Sequence, residues 1–491
     1  MIAILGIAAF ALGIWRPSTS HCMGVELVSA SKIDLITARR RHSETLDVPI
    51  LLDGTPVATD HESQTVYIPQ AIQDDTTRDD LIGTISVAPP YSLCMMKEDV
   101  FAYLSGAVAN NHAFTLLVYD DEVYARYKVI FTTLPVFAVS SADSRTEDDQ
   151  TEVFTGSFTA FSANQGDLPI QTAYAEWHIR GNNSLLMDKK AWRLSLKNEG
   201  GDKQNLALAG LGSDDDWILN PMSRDDLKIR EHFVGNLWNQ MTDDRSLSMS
   251  EGEYVELVMD GKYMGLYLLQ RRVDRKYLSL DESDILMKGK NFTHSYTVQD
   301  ALELIYSAMN EQDAYAIAEP FYTDFAPSTI DLTTYVRYEL LINLCYLPDN
   351  LKFKNTFYLW QQCGDDYTLS FIPWDTNLSW GMDYRNGIMF NIYLAEEAEI
   401  LHRQEYLYPD LDRQIALGWQ ELRQSLIDYE SLAEQITALR TDLKQSGALL
   451  RDGEVWGNYA LGADTEYLLF SFLRSRIQQL DAYYDAILDE E

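Results

Sequence analysis

Four polar side chains stand inside two runs of strand-forming residues. The run PDNLKFKNTFYLW, residues 348–360, carries Asp349, Asn350 and Asn355, and the run FIPWDTNLSWG, residues 371–381, carries Asp375. A carboxylate among apolar strand formers is costly unless it is paired or binds something. Phosphoryl transfer from a nucleotide needs such a set: a carboxylate to orient the attacking hydroxyl, hard oxygen ligands for one or two divalent metals, a cation for the phosphates and a hairpin over the nucleotide. Asp349, Asn355 and Asp375 are the right types in the right order, and Lys189 and Lys190, just ahead of a strand, could supply the cation. A plainer reading stands beside this one. Asp-Asn after a helix commonly makes a turn, Asn355 can hydrogen-bond its own backbone, and Asp375 can cap the segment that follows its strand.

The elements that must position these residues can be read from pattern. AYAEWHIRGNNS and KKAWRLSLKN read as two strands joined by a loop. SRDDLKIREHFVGNLWNQM reads as an amphipathic helix, with Leu227, Phe233, Val234, Leu237 and Met241 at helical spacing and Ser223 and Asp226 suited to its start. EYVELVMDGKYMGLYLLQRRV is a hairpin, because Asp260-Gly261 is a strong turn signal between alternating strands. LTTYVRYELLINLCYL reads as a mostly apolar helix, and two strands follow around a turn at 364–366. From residue 411 onward the spacing is helical.

Upstream, residues 24–44 read as a linker and residues 45–140 as a run of short strands, suggesting a small β-sandwich. The polar stretch SSADSRTEDDQTE, residues 140–152, reads as a domain boundary. Residues 2–15 are apolar throughout, a length that suits the core of a signal peptide better than a membrane span, although the usual basic residues ahead of it are missing. The expectation is residues 1–22 as signal peptide or anchor, on an exported or surface protein that touches a membrane only through that segment if it stays uncleaved. A buried N-terminal strand is the alternative.

Composition sets outer bounds. The chain has 491 residues, 46% of them hydrophobic, enough for a sizeable core. Its 75 acidic and 39 basic residues leave a net charge of −36, which repels phosphate backbones and argues against a nucleic-acid partner. The four cysteines, Cys22, Cys94, Cys345 and Cys363, form no CxxC pair, and the eight histidines show no metal-binding spacing, so no zinc site is expected. Cys345 and Cys363 read as small buried apolar residues, and Trp374 and Trp380 read as core.

Six blocks in order resemble the CotH family, the spore coat protein H-like proteins with an atypical protein-kinase fold. They are WHIRGNNSLLMDKKAWRLSL, DDDWILNPMSRDDLKIREHFVGNLW, YVELVMDGKYMGLYLLQRRVDRKYL, DILMKGKN, YELLINLCYLPDNLKFKNTFYLW and FIPWDTNLSWG, within about residues 170 to 381. The resemblance implies an α+β, kinase-like two-lobed fold over residues 155–491, with a β-rich small lobe, a helical large lobe and the β-rich domain 45–140 ahead of it. It implies ATP- and Mg²⁺- or Mn²⁺-dependent phosphorylation of Ser or Thr on an exported or surface protein. Carried over by position, Asp349 matches the catalytic-loop aspartate, while Asn355 and Asp375 match the metal ligands. Arg180, Gly181 and Ser184 match the loop over the nucleotide. Lys190 is taken as the phosphate-contacting lysine, Arg230 as the basic residue of the packed helix, and Lys288 as a lysine after the hairpin.

Three departures stand out, and the first of them bears on turnover. Asp349 lies six residues before Asn355, one more than the Asp-x-x-x-x-Asn spacing of ordinary protein kinases, and Asn350 occupies the place that strict spacing gives the aspartate. Asn183 stands where the family often has serine, and Gln270 where its hairpin commonly ends in glutamate. An extra bulged residue would let Asp349 reach; otherwise the base is lost and the chain is a catalytically inactive, structural or surface-binding member of the family. A base must reach its proton before its pKa matters.

Overall fold

The computed structural model describes residues 21–43, 46, 48–99, 103–142, 152–181, 186–288, 330–350, 355–364, 366–382, 410–457 and 463–489. Strands and helices are both abundant and lie in several sheets, an α+β arrangement. Asn183, Ser184 and the whole N-terminal apolar segment 2–15 fall outside the described residues; His21–Cys22 form a short strand.

The expected linker is structured. Val25–Val28 is a strand paired in parallel with Ser92–Met96, and Ala30–Thr37 is a helix whose first turn is capped by Ser29. These elements join an eight-stranded mixed sheet and a three-stranded sheet that share one apolar core. That core takes in Val136, Phe161, Val258 and Tyr263 of the next unit, so the N-terminal strands pack directly on it.

The next unit is a closed barrel of seven strands: β1 (Val136–Ser141), β2 (Phe154–Phe161), β3 (Ile170–Arg180), β4 (Ala191–Lys197), β5 (Asp216–Asn220), β6 (Gly252–Met259) and β7 (Lys262–Arg271). Its order is β1-β2-β3-β4-β5-β7-β6, and β6 closes on β1 in parallel register, Val136 opposite Glu256. The boundary read at 140 thus falls inside a barrel strand. The β6–β7 turn is the expected one, with Asp260 and Gly261 both at positive φ, 50° and 72°. Closure leaves no exposed edge, and alternation sends Trp177, Trp192, Trp217 and Tyr267 inward to fill the barrel. The intervening residues Arg180, Asn220 and Gln270 therefore face outward.

Helix α1 (Arg230–Thr242) begins seven residues after Ser223. Asp225, rather than Ser223 or Asp226, holds the approach: its carboxylate accepts from the backbone N–H groups of Leu227 and Arg230 at 3.0 and 2.7 Å. Phe233, Val234, Leu237, Trp238 and Met241 of α1 join a second large core. That core also holds helix α2 (Leu332–Cys345) and the sheet of β8 (Ile285–Lys288), β9 (Thr356–Cys363) and β10 (Asp366–Pro373), together with the C-terminal helices α3 (Leu411–Ser425), α4 (Tyr429–Gln445), α5 (Ala448–Trp456) and α6 (Ala463–Asp489). Cys345 is buried in this core, whereas Cys363 is exposed at the end of β9.

Helix α5 locks three parts together. Arg451 donates from Nε and Nη2 to Glu256 of the barrel at 2.8 and 2.6 Å and from Nη1 to Asn111 of the N-terminal strands at 3.2 Å. Next to it, Asp452 accepts from the Leu266 N–H at 2.9 Å and pairs with Lys189. Gly265 is required there: its φ is +90°, and a Cβ would lie 2.3 Å from Asp452 Oδ1. Among the described residues, no helix is long and apolar enough to cross a membrane.

Candidate active site

Sheet β8–β9–β10 brings the two opening runs side by side. Thr356 pairs with Pro373, which places Asn355 and Trp374 next to each other just beyond the ladder. The Trp374 N–H donates to the Asn355 carbonyl at 2.9 Å. Asn355 and Asp375 both adopt positive φ, 51° and 54°, a conformation unusual outside glycine that turns the chain sharply at each strand end.

Asn350 holds this corner from below. Its side chain is 1% exposed, and Nδ2 donates to the carbonyls of both Asn355 and Trp374, each at 2.9 Å. The Tyr338 hydroxyl, from α2, donates to the Asn350 carbonyl at 3.3 Å. Asn350 is therefore turned inward as a brace. Asp349, on the same turn, is half-buried.

A second layer comes from the barrel and α1. Arg180, the last residue of β3, lies with its guanidinium carbon 5.5 Å from the centroid of the Trp374 ring. Lys288, the last residue of β8, lies with Nζ 3.7 Å from the same centroid. Glu231 of α1 is buried; its carboxylate accepts from Asn220 Nδ2 at 2.8 Å and from Gln270 Nε2 at 3.1 Å. Burial first, and then the nearby charge of Asp375, push the Glu231 carboxyl up to about 7, against the pull of those two amides and of Arg180. Burial draws Arg180 downward, opposed by Glu231 and Asp375. Arg180, Glu231 and Asp375 thus act on one another across the seam between barrel and sheet.

The structure brings Arg180, Lys288, Asn355 and Asp375 together around Trp374, and it commits Arg230 and Lys189 to other partners. Arg230 is 1% exposed and committed elsewhere: Nε lies 3.2 Å from Asp225, Nη2 3.6 Å from Asp226, and Nη1 donates to the Ser379 carbonyl at 3.1 Å. Its sequence neighbour Glu231 is the α1 residue that faces the cluster. Lys189 is buried against Asp452 and over the Tyr267 ring, and burial lowers its pKa to about 8. Lys190, half-buried beside it, accepts from the Tyr267 hydroxyl through its backbone carbonyl at 3.2 Å. Gly181 follows Arg180 at φ 108°, a glycine conformation that lets the chain turn away from the barrel.

Glu231, Asn220 and Trp374 are the residues that motif reading passed over. Gln270 was visible only as a departure, and its role is now physical: its amide donates to Glu231, where a glutamate would repel it. Trp380 is buried core, its ring tilted at 38° to that of Phe233 with centroids 5.2 Å apart, whereas Trp374 is half-buried and carries cations.

The model of the family described as CotH kinase protein matches residues 177–484. The chain belongs to the CotH family. The match begins at the barrel strand that ends in Arg180 and runs through the C-terminal helices, so those helices are part of the CotH unit, which the six sequence blocks did not cover. No curated protein matches the chain.

The donor set of the CotH cleft suits a hard divalent cation. Asn355 and Asp375 offer an amide oxygen and a carboxylate on adjacent strand ends, and magnesium takes few ligands from protein. Among the described residues, no group of three His, Cys, Asp or Glu side chains is placed to hold a metal ion by itself. A cavity of about 510 Å³ between the N-terminal strands and the barrel, lined by Ile50, Val57, His61, Thr159 and Val258 among others, includes none of the cleft residues. It has no carboxylate in its lining.

Proposed function

We propose that this CotH protein is an atypical protein kinase that transfers the γ-phosphate of ATP to Ser or Thr of an exported or surface protein, with Mg²⁺ or Mn²⁺ as the metal. The observation that carries the reading is the meeting of two cations, Arg180 and Lys288, with two carboxylates, Glu231 and Asp375, beside Asn355. Family membership supports it. The kinase-like two-lobed reading, with the barrel as small lobe and the helices as large lobe, is part of this proposal.

In this reading Asp375 and Asn355 would hold the metal, which when bound would supply positive charge to offset that of the phosphates. Arg180 and Lys288 bind phosphate oxygens. Glu231 keeps Arg180 over the cleft by electrostatic attraction, while Asn220 and Gln270 fix its carboxylate. Asp349 orients the acceptor hydroxyl and takes its proton. Asn350 keeps Asn355 and Trp374 at a fixed spacing, so the metal ligands are set before substrate arrives.

The test is transfer from labelled ATP with Mg²⁺ or Mn²⁺, to the protein itself or to a casein-like acceptor, beside Asp375→Ala and Asp349→Ala. Both variants are expected to lose transfer. If the wild type neither binds nucleotide nor labels any acceptor, the catalytic reading falls, and the alternative, an inactive structural or surface-binding CotH protein, takes its place. Full activity in Asp349→Ala with none in Asp375→Ala would move the base elsewhere.

A further inference from the structure

We infer that Trp374 is a positioning residue whose ring holds Arg180 and Lys288 as a paired phosphate-binding site; the inference rests on the nucleotide-binding reading above. Three observations carry it. Both cations reach the same ring from different elements, Arg180 from the barrel at 5.5 Å and Lys288 from β8 at 3.7 Å. The ring is itself fixed, with its edge against Phe357 at 5.5 Å and an interplanar angle of 83°. Its backbone is fixed too, through its N–H to Asn355 and its carbonyl to Asn350, one residue before Asp375.

An aromatic face attracts a cation without neutralising a carboxylate. Arg180 and Lys288 are long and flexible, and the ring adds a fixed resting place to the pull that Glu231 and Asp375 exert on Arg180. A cation resting on an uncharged ring is released easily to an arriving phosphate, whose charge outcompetes the ring.

The experiment measures binding rather than turnover, on the full chain. Mg²⁺-ATP, inorganic tripolyphosphate and adenosine are titrated by calorimetry into wild type, Trp374→Phe and Trp374→Leu, with melting temperature recorded for each. Loss of both ring contacts in Trp374→Leu is expected to weaken ATP and tripolyphosphate binding about 10-fold, equivalent to about 1.4 kcal/mol. Trp374→Phe, which keeps a weaker aromatic face, should recover most of this. Adenosine binding should not change, because only the phosphate half depends on the ring. In an Arg180→Met, Lys288→Met background, Trp374→Leu should have no further effect on tripolyphosphate, since the pair it positions is gone. Equal tripolyphosphate affinity in wild type and Trp374→Leu, at unchanged melting temperature, overturns the inference while leaving the kinase reading intact. Trp374-dependent binding of tripolyphosphate by a protein that transfers no phosphate supports the inference and overturns the kinase reading. Wild type that binds neither ATP nor tripolyphosphate overturns both.

Discussion

Asn350→Asp separates two accounts of the catalytic loop. Asn350 precedes Asn355 by five residues, the spacing that ordinary protein kinases give to their base. If the position belongs to a base that was lost, restoring the carboxylate should raise phosphoryl transfer. The structure predicts the reverse. Nδ2 of this 1% exposed side chain donates to two carbonyls, each at 2.9 Å, and a carboxylate has no proton to donate. The substitution removes two hydrogen bonds of about 1 kcal/mol each and sets a buried charge against two carbonyl oxygens, for a total of about 3–5 kcal/mol at neutral pH. The new carboxyl must therefore have its pKa raised in the fold. Above that raised value the full penalty applies; as the pH falls toward the unfolded value the group protonates, donates one of the two bonds, and part of the stability returns. Asn350→Leu supplies the control, since it loses both bonds but has no proton to gain. Urea unfolding at pH 5 and pH 8, with nucleotide transfer measured at each, distinguishes the cases. A rise in transfer for Asn350→Asp, with stability unchanged and no pH dependence relative to Asn350→Leu, would refute the bracing role and return the position to the base.

Three further outcomes follow from other buried groups. Glu256→Gln leaves Arg451 without its bidentate partner in a buried place and should cost about 3–5 kcal/mol in urea unfolding, whereas the double variant Glu256→Met, Arg451→Met should recover much of it. Gln270→Glu sets a further carboxylate against Glu231 and Asp375, so its melting temperature should fall below that of the wild type at pH 8 and approach it on acidification, where one of the group is neutral. His232 is buried with its pKa pushed down to about 4 by desolvation. The unfolded chain binds the extra proton first, so this group withdraws stability as pH falls from about 6.5 to about 4, to a limit of about 3 kcal/mol. Relative to wild type, His232→Gln should become less destabilising across that window; a difference between the two that stays flat with pH would show that His232 is not held neutral.

Much of the local structure was legible because its signals are local. The β6–β7 hairpin follows from Asp260-Gly261, and helix α2 from an apolar run whose first turn Asp331 caps, accepting from the Thr334 N–H at 3.2 Å. What was not legible depends on contacts between distant segments. Val136–Ser141 has the composition of the strands before it, and nothing in its period reveals that it closes a barrel against Glu256–Met259, more than a hundred residues later. Helix α1 reads equally well from Ser223, because Leu227 is apolar and buried. The chain stays non-helical up to Ile229 because Asp225 binds the N–H groups of Leu227 and Arg230 in a tighter local arrangement.

Three supporting residues of the cleft share a position in sequence. Asn350 adjoins Asp349, Trp374 adjoins Asp375 and Glu231 adjoins Arg230. Motif reading selects residue types that can meet a ligand: it takes Asn350 as the place of a lost base and Trp374 as core, and it gives Glu231 no role. In a turn or at a strand end, adjacent side chains point to different sides. A residue beside a ligand-facing one is then the natural support for it, provided its chemistry can be satisfied inside. Asn350 satisfies this through two carbonyls, Trp374 through its fixed ring and backbone, and Glu231 through the amides of Asn220 and Gln270. The role of Arg230 inverts for the same reason: it turns to Asp225, Asp226 and the Ser379 carbonyl, and its neighbour faces the cleft. Composition alone cannot assign which of two neighbours turns inward, because both outcomes keep the same residues in the same order. The assignment comes from the partners that wait on each side: Asn220 and Gln270 for Glu231, the carbonyls of Asn355 and Trp374 for Asn350, and Phe357 for Trp374.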